Sequence, residues 1–317
     1  MAQEVMEMER IDIGIVGGGP AGLAAGLYAA RALRRTVLWE RGVVGGQIAT
    51  TSTVENYPGF PEGVNGLDLA LAMRQQAERF GMDARYEAVS GLRVVDDGFV
   101  LDTDGGSVHA RSVIVTAGAE PNRLGVPGED ELTGRGVSYC ATCDAAFFRD
   151  VPVTVVGGGD AALDEALFTT RYASKVYVVH RRDELRASKV LQERAFRSPK
   201  IEFLWDTVVE RVNGESAVES LVLRNVRTDE TRELSVAAMF VFIGQRPSSE
   251  LLAGLTRRDA GGHVVVNEWM ETEVPGLFAA GDLRAQSARQ LVTAAGDGVT
   301  AAIRAEHYLS ERYDAAA

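Results

Sequence analysis

Two short stretches constrain this chain more than anything else in it. Ile11-Asp12-Ile13-Gly14-Ile15-Val16 reads as a buried strand and runs straight into Gly17-Gly18-Gly19-Pro20-Ala21-Gly22. Val153-Thr154-Val155-Val156 runs in the same way into Gly157-Gly158-Gly159-Asp160-Ala161-Ala162, 140 residues downstream (157 against 17). Each carries G-x-G-x-x-G/A and is followed by a stretch of helical character, residues 23–32 and 162–172. Glycine is needed at the turn, where the backbone approaches a pyrophosphate, and where helix meets strand. The free N–H groups of the helix start then bind the phosphates. The expected fold is α/β, with two Rossmann-like three-layer dinucleotide-binding domains.

The residue that ends the second strand of each unit separates the two sites. Thr36-Val37-Leu38-Trp39 ends in Glu40, and Val176-Tyr177-Val178-Val179 ends in His180. Both lie 23 residues after the first glycine (40 against 17, 180 against 157). A carboxylate there accepts hydrogen bonds from a ribose and repels a 2′-phosphate. His180 is followed by Arg181 and Arg182, with Arg186 close behind. Guanidinium groups make charge-assisted, bidentate bonds to phosphate. The second site is therefore expected to take NADPH rather than NADH, and the first the other dinucleotide. FAD with a nicotinamide nucleotide is the pairing that fits.

Composition excludes other classes. A chain of 317 residues suggests two domains, and 46% hydrophobic content suffices for their cores. A net charge of -12 argues against nucleic acid or an anionic membrane as partner. No apolar run approaches the roughly 20 residues of a membrane span. Residues 1–10 are acidic, lack the apolar core of a signal peptide and read as a frayed tail. With two cysteines and no export signal, the expected location is cytoplasmic.

The remaining segments are read around the two units. Residues 42–66 form a long loop rich in Gly and Thr, able to wrap a flat ring, with Gly45, Gly46 and the amides of Gln47 and Asn56. Residues 67–80 read as an amphipathic helix. Residues 88–110 read as short strands with turns at 96–98 and 104–106, and 112–115 as a separate buried strand. Thr116-Ala117-Gly118-Ala119-Glu120-Pro121 looks like a crossing between domains, and Gly244-Gln245-Arg246-Pro247 like the return. Residues 201–204, 218–223 and 238–243 are expected strands. A strand at 277–280 enters Gly281-Asp282, and a helix is expected over 299–308. Asp282 could bind flavin ribityl hydroxyls, and Arg289 and Gln290 the ring or phosphates. If they complete the first site, residues 1–118 and 247–317 form a discontinuous FAD domain. The NADPH domain, 119–246, is then inserted into it.

Cys140-Ala141-Thr142-Cys143-Asp144 holds the only two cysteines. One helical turn puts both sulfurs on one side, within reach of a disulfide. The loop is too small to staple a fold, so the pair reads as a redox dithiol beside Asp144. Half a zinc site uses the same spacing. No histidine or further cysteine completes such a site within one chain, and no metal is expected.

Taken in order, these motifs resemble the low-molecular-weight bacterial thioredoxin reductases over essentially the whole length. The carrying residues are the two glycine motifs, Gly45-Gly46-Gln47, Val54-Glu55-Asn56, Cys140 to Asp144, His180-Arg181-Arg182, Gly281-Asp282 and Arg289-Gln290. The resemblance implies a homodimeric flavoenzyme with FAD, NADPH and a thioredoxin-like protein substrate. It implies FAD contacts from Gly17, Gly19, Pro20, Ala21, Gly22, Glu40, Arg41, Gly45, Gly46, Gln47, Asn56, Ala117, Gly118, Gly281, Asp282, Arg289, Gln290 and Leu291. NADPH contacts are implied from Gly157, Gly158, Gly159, Asp160, Ala161, His180, Arg181, Arg182, Arg186, Ile243 and Gly244. Hydride would pass from NADPH to FAD, then to the Cys140–Cys143 disulfide, then by dithiol exchange to the partner. By the resemblance Cys143 faces the flavin and Cys140 attacks the partner. Asp144 would manage the thiol proton, since none of the four histidines neighbours the dithiol in sequence. The inserted domain carries both the dithiol and the nicotinamide site, so it is expected to rotate about 117–121 and 244–247.

Two departures stand out. Ala145 replaces a frequent glycine, which would stiffen the turn, and Ala288 replaces a frequent aromatic before Arg289. The larger disulfide reductases of the superfamily need a longer chain. A ferredoxin-NADP reductase-like oxidoreductase would lack the cysteine pair. A non-enzymatic flavoprotein redox sensor is the remaining alternative.

Overall fold

The run Thr36–Trp39, a threonine followed by three apolar residues, shows how the first sheet is built. All four positions are buried, as expected of a strand covered on both faces. The computed structural model describes residues 8–314 apart from 52 and 55; most of the acidic segment 1–10, and Glu55, lie outside the described residues. The chain divides into two units, residues 1–120 with 246–317, and 121–245.

In the first unit β1 (Glu9–Val16) enters the glycine turn and α1 (Pro20–Arg31), followed by β2 (Thr36–Trp39). After the long loop come α2 (Gly66–Arg79), capped by the Asn65 side chain, and β3 (Asp83–Arg85), β4 (Val89–Val95), β5 (Gly98–Thr103) and β6 (Gly106–Val115). A short β7 (Ala119–Pro121) forms the crossing. The second unit holds β8 (Val137–Ser138), α3 (Ala141–Asp144), β9 (Pro152–Gly157), α4 (Asp160–Thr169), β10 (Lys175–Val179), α5 (Lys189–Arg197) and β11 (Ile201–Leu204). It closes with β12 (Thr207–Asn213), β13 (Ser220–Asn225), β14 (Thr231–Ser235) and β15 (Ala238–Phe242). The return crossing is β16 (Gln245–Pro247); β17 (Leu277–Ala279) and α6 (Leu291–Leu309) complete the first unit.

The first unit's sheet runs β3-β2-β1-β6-β5-β4, and β17 pairs with the far end of β6. The β1, β2, β3, β6 and β17 pairings are parallel; β4 and β5 add an antiparallel ribbon. Alternation decides the layers: Leu38 and Ile114 face α1 and α6, while Val37, Trp39, Val113 and Val115 face the other core with Leu252 and Leu283. The second unit repeats the plan. Its parallel sheet is ordered β11-β10-β9-β15-β8. Ala238 and Phe240 pack toward the helices, and Met239 and Val241 toward the antiparallel sheet β12-β13-β14.

Three expectations need correction. Residues 106–115 are one strand, not two: β6 leaves the antiparallel ribbon and continues as a central parallel strand. β12 and β14 were not anticipated; β14 is exposed along nearly its whole length and so lacks the apolar signal of a strand. The last helix starts at Leu291, eight residues before the expected position. Gly296 and Gly298 lower intrinsic propensity there, and tertiary packing overrides it. A Cβ on Gly298 would fall 2.0 Å from Ala21 O, so α6 crosses α1 at a distance only glycine allows. Gly298→Ala is expected to destabilise the protein by about 1–3 kcal/mol through overpacking. A thermal melt with an unchanged midpoint would contradict this.

Candidate functional site

The first glycine turn is fixed by sterics and one carboxylate. Gly17 has φ +114°, and a Cβ on it would lie 2.6 Å from Thr116 O. Glu40, at the end of β2, accepts from the Gly18 N–H through Oε2 and from the Gly42 N–H through Oε1, both at 2.7 Å. Above Gly19 the space is open, and a Cβ on Gly46 would come no nearer than 3.6 Å to Gly19 Cα. This gap beside the start of α1 suits a pyrophosphate, and Glu40 beneath it suits a ribose. Pro20 opens α1. Ala21 is buried and packs under Gly281 and Gly298, so its contribution is to the helix seat.

The long loop is tied down at both of its amides. Gln47 donates to Ala119 O, and Asn56 Nδ2 donates to Gln290 Oε1 at 3.2 Å. Gln290 caps α6, Leu291 is its first residue, and the exposed Arg289 precedes them in a left-handed conformation (φ +56°). Asp282 sits in a short turn after β17 and accepts from Ser287 Oγ at 3.1 Å. Burial pushes its carboxyl up from the usual range, with the Ser287 hydroxyl and the Arg289 charge opposing. A half-buried carboxylate with one hydroxyl partner has acceptor capacity left for further hydroxyls. Two residues that the motifs did not single out hold this turn: Arg284 clamps Asp297 at 2.6 and 3.0 Å, and Asp297 also accepts the Gly281 N–H. Arg41 lies exposed, 3.4 Å from Glu120; Ala117 is exposed and Gly118 has φ +69°.

The second turn has the same backbone and a different rim. Gly157 has φ +153°, and the space above Gly159 is open, as above Gly19. Asp160 opens α4 and accepts the Ser188 N–H at 2.6 Å; Ala161 beside it is exposed. His180 is buried under Gly158, where a Cβ would lie 2.2 Å from the ring, and its Nε2 is 3.0 Å from Glu184 O. Burial holds its pKa below the usual value, and the charges of Arg182, Arg186 and Arg181 push the same way. So His180 supports the turn as a neutral ring. Those three arginines are exposed, and among the described residues none of them makes an ion pair. Arg186 also donates its N–H to Gly158 O at 2.7 Å, which joins the arginine segment to the turn. Ile243 is half-buried, and Gly244 O accepts the Asn122 N–H at 3.0 Å.

Cys140 and Cys143 form a disulfide across α3, with Cα atoms 5.3 Å apart. Cys140 caps α3, and its sulfur accepts the Cys143 N–H at 3.2 Å. Ala141 and Ala145 are fully buried against Ala162, Leu163 and Ala166 of α4, and both cysteines are half-buried. Ala145 has helical φ −59°, so a methyl sits there without strain. Burial pushes the Asp144 carboxyl up, offset in part by the Ser138 hydroxyl. Ser138 was not anticipated from sequence. Buried at the end of β8, its Oγ accepts the Cys140 N–H at 3.1 Å and so links Asp144 to the start of the dithiol turn. The other unanticipated support is Glu129, 1% exposed, which accepts from Tyr139 Oη, Leu124 N and Gly125 N. Isolated serine and glutamate residues carry no spacing signal by which sequence could mark them.

A duplicated dinucleotide-binding plan with a disulfide on one copy defines a two-nucleotide, disulfide-handling redox protein. A family profile described as "Pyridine nucleotide-disulphide oxidoreductase" matches residues 11–298. Thioredoxin reductase of Peptoclostridium litorale is 47% identical over 96% of this chain and 99% of its own length. That of Bacillus subtilis is 45% identical over 96% and 97%. A crystal structure of thioredoxin reductase from Streptococcus pyogenes superposes with TM-score 0.91, at 41% identity, covering 96% of this chain and all of that one. The chain belongs to the pyridine nucleotide-disulphide oxidoreductase family, in its thioredoxin reductase branch.

Proposed function

We infer that this protein is an NADPH-dependent thioredoxin-disulfide reductase, with FAD and NADPH as cofactors. The observation that carries the reading is the Cys140–Cys143 disulfide on the same unit as the three arginines of the second glycine turn, which make no ion pair among the described residues. Glu40, Gly19, Gly46, Asp282 and the α6 start would hold FAD; Gly159, Arg181, Arg182 and Arg186 would hold NADPH. Bound together, the cofactors supply a hydride from nicotinamide and a two-electron reductant for the disulfide.

The protein's own residues then do the rest. Opening the disulfide leaves one sulfur as a thiolate that needs a proton. Asp144, with its raised pKa, holds a proton to higher pH than an exposed aspartate. It gives that proton to the leaving sulfur and takes it back during exchange. Cys143 is the inner sulfur and Cys140 the one that attacks the partner disulfide. Asp144→Asn is expected to slow turnover with thioredoxin by about 10²-fold. Wild-type turnover should fall as pH rises through the Asp144 pKa, because the proton donor is lost; the Asn variant should lack that limb. Equal rates and equal pH profiles would refute the role.

The residues for FAD lie in the first unit, whereas the disulfide and the residues for NADPH lie in the second. The second unit therefore turns about the crossings at β7 and β16 between its two tasks. A cross-link between the units should suppress turnover; full rate in the locked enzyme would remove the rotation. The protein works as a cytoplasmic homodimer, the dimer being checked by sedimentation of the flavin-loaded form. No helix among the described residues is long and apolar enough to cross a membrane.

A further inference from the structure

One half-buried carboxylate beside the dithiol has no place in the mechanism above. Glu165 lies on α4, the helix that starts at the second glycine turn and packs along α3. Its Oε1 and Oε2 both lie 3.1 Å from Thr142 Oγ1, and Thr142 is one of the two residues between the cysteines. The Thr142 N–H is directed at the same carboxylate. Burial pushes the Glu165 carboxyl up, and the nearby Asp164 charge adds to that; the Thr142 bonds oppose both. Among the described residues Glu165 has no cationic partner. Even partial burial of a carboxylate without a cation is costly. What it gains in return is a hold on the exposed side of a turn whose inner side, Ala141 and Ala145, is fixed by packing.

We propose that Glu165 is a positioning residue for the dithiol: through Thr142 it fixes the turn that keeps Cys140 and Cys143 within bonding distance, and so sets the reducing strength of the pair. The exchange is balanced. Two thiols and a partner disulfide give the Cys140–Cys143 disulfide and a partner dithiol; one S–S bond forms, one breaks, and two electrons and two protons leave with the partner. The equilibrium depends on the effective concentration of one sulfur at the other. A loosened turn lowers it, so the dithiol holds its electrons more firmly and becomes a weaker reductant.

The test uses the flavin-loaded protein with Thr142→Val, Glu165→Ala and Glu165→Gln. The two cysteines are equilibrated in dithiothreitol redox buffers and counted by alkylation. Thr142→Val and Glu165→Ala are expected to shift the equilibrium toward the dithiol by about tenfold, or about 30 mV. Their combination should add little to either alone, since both remove one interaction. Glu165→Gln keeps an acceptor for the Thr142 hydroxyl and should stay within about twofold of wild type. Reduction of the flavin by NADPH should be unchanged in all three. An unmoved equilibrium in Thr142→Val and Glu165→Ala would overturn the proposal, as would an equal shift in Glu165→Gln. Thr142→Val changes neither charge nor volume much, so it decides the matter even where Glu165→Ala loosens the packing. The proposal rests on the redox reading of the pair. Wild-type cysteines that NADPH fails to open would sink that reading too; cysteines that open, with unmoved variants, would sink the role of Glu165 alone.

Discussion

Cys140→Ser protein is expected to let NADPH reduce its flavin at the wild-type rate while losing thioredoxin reduction by at least about 10³-fold. The two losses separate because the nucleotide sites and the dithiol are built from different residues. Both glycine turns, Glu40 and the arginine rim are untouched by the change. The exchange step needs a thiolate nucleophile, and a serine hydroxyl at that position neither ionises at neutral pH nor forms an S–S bond. Cys143 remains, but as the inner sulfur it does not attack the partner disulfide. The complementary change, Cys143→Ser, leaves Cys140 to attack with no resolving sulfur. It should therefore trap the partner as a stable mixed disulfide. Trapping by Cys140→Ser instead would reverse the inner and outer roles.

The second large effect concerns the choice of nucleotide. Arg181→Ala with Arg182→Ala is expected to raise KM for NADPH by at least about 10²-fold and to leave KM for NADH within about twofold. Each guanidinium is exposed and free of any ion pair among the described residues, so its removal breaks no ion pair there. A hydrogen bond to a charged group contributes about 1.5–3 kcal/mol, so two lost contacts reach roughly 3 kcal/mol, about a hundredfold. NADH lacks the 2′-phosphate and has nothing to lose there. Parallel losses for both nucleotides would mean that the arginines serve the turn and not the phosphate. His180 makes a useful contrast. It occupies the position equivalent to Glu40, yet it is buried beneath Gly158 and held neutral, so its substitution should disturb the turn for either nucleotide.

The duplicated glycine turns are legible in the sequence because backbone sterics admit so few residues at Gly17 and Gly157. The exchange of Glu40 for His180 and its arginines is legible because the two units keep one register. The start of α6 was not legible: Gly296 and Gly298 look like helix breakers until α1 is seen lying against Gly298. β14 was missed because its residues face solvent and carry no alternation. The supports of the site were hidden for a different reason. Ser138 and Glu129 act within their own loops, on Cys140 and on Tyr139, and Arg284 reaches across to Asp297 in α6. Their residue types are common and their spacing has no pattern, so only the folded arrangement gives them a role.

Electrons entering as NADPH leave through the Cys140–Cys143 pair to a protein disulfide. Anaerobic alkylation of the flavin-loaded protein before NADPH, after NADPH, and after a further addition of oxidised thioredoxin tests this route. Two blocked cysteines are expected at first, two alkylated ones after NADPH, and two blocked ones again once thioredoxin has been reduced. Cysteines that stay blocked while NADPH bleaches the flavin, or that open and are not closed by oxidised thioredoxin, would contradict it.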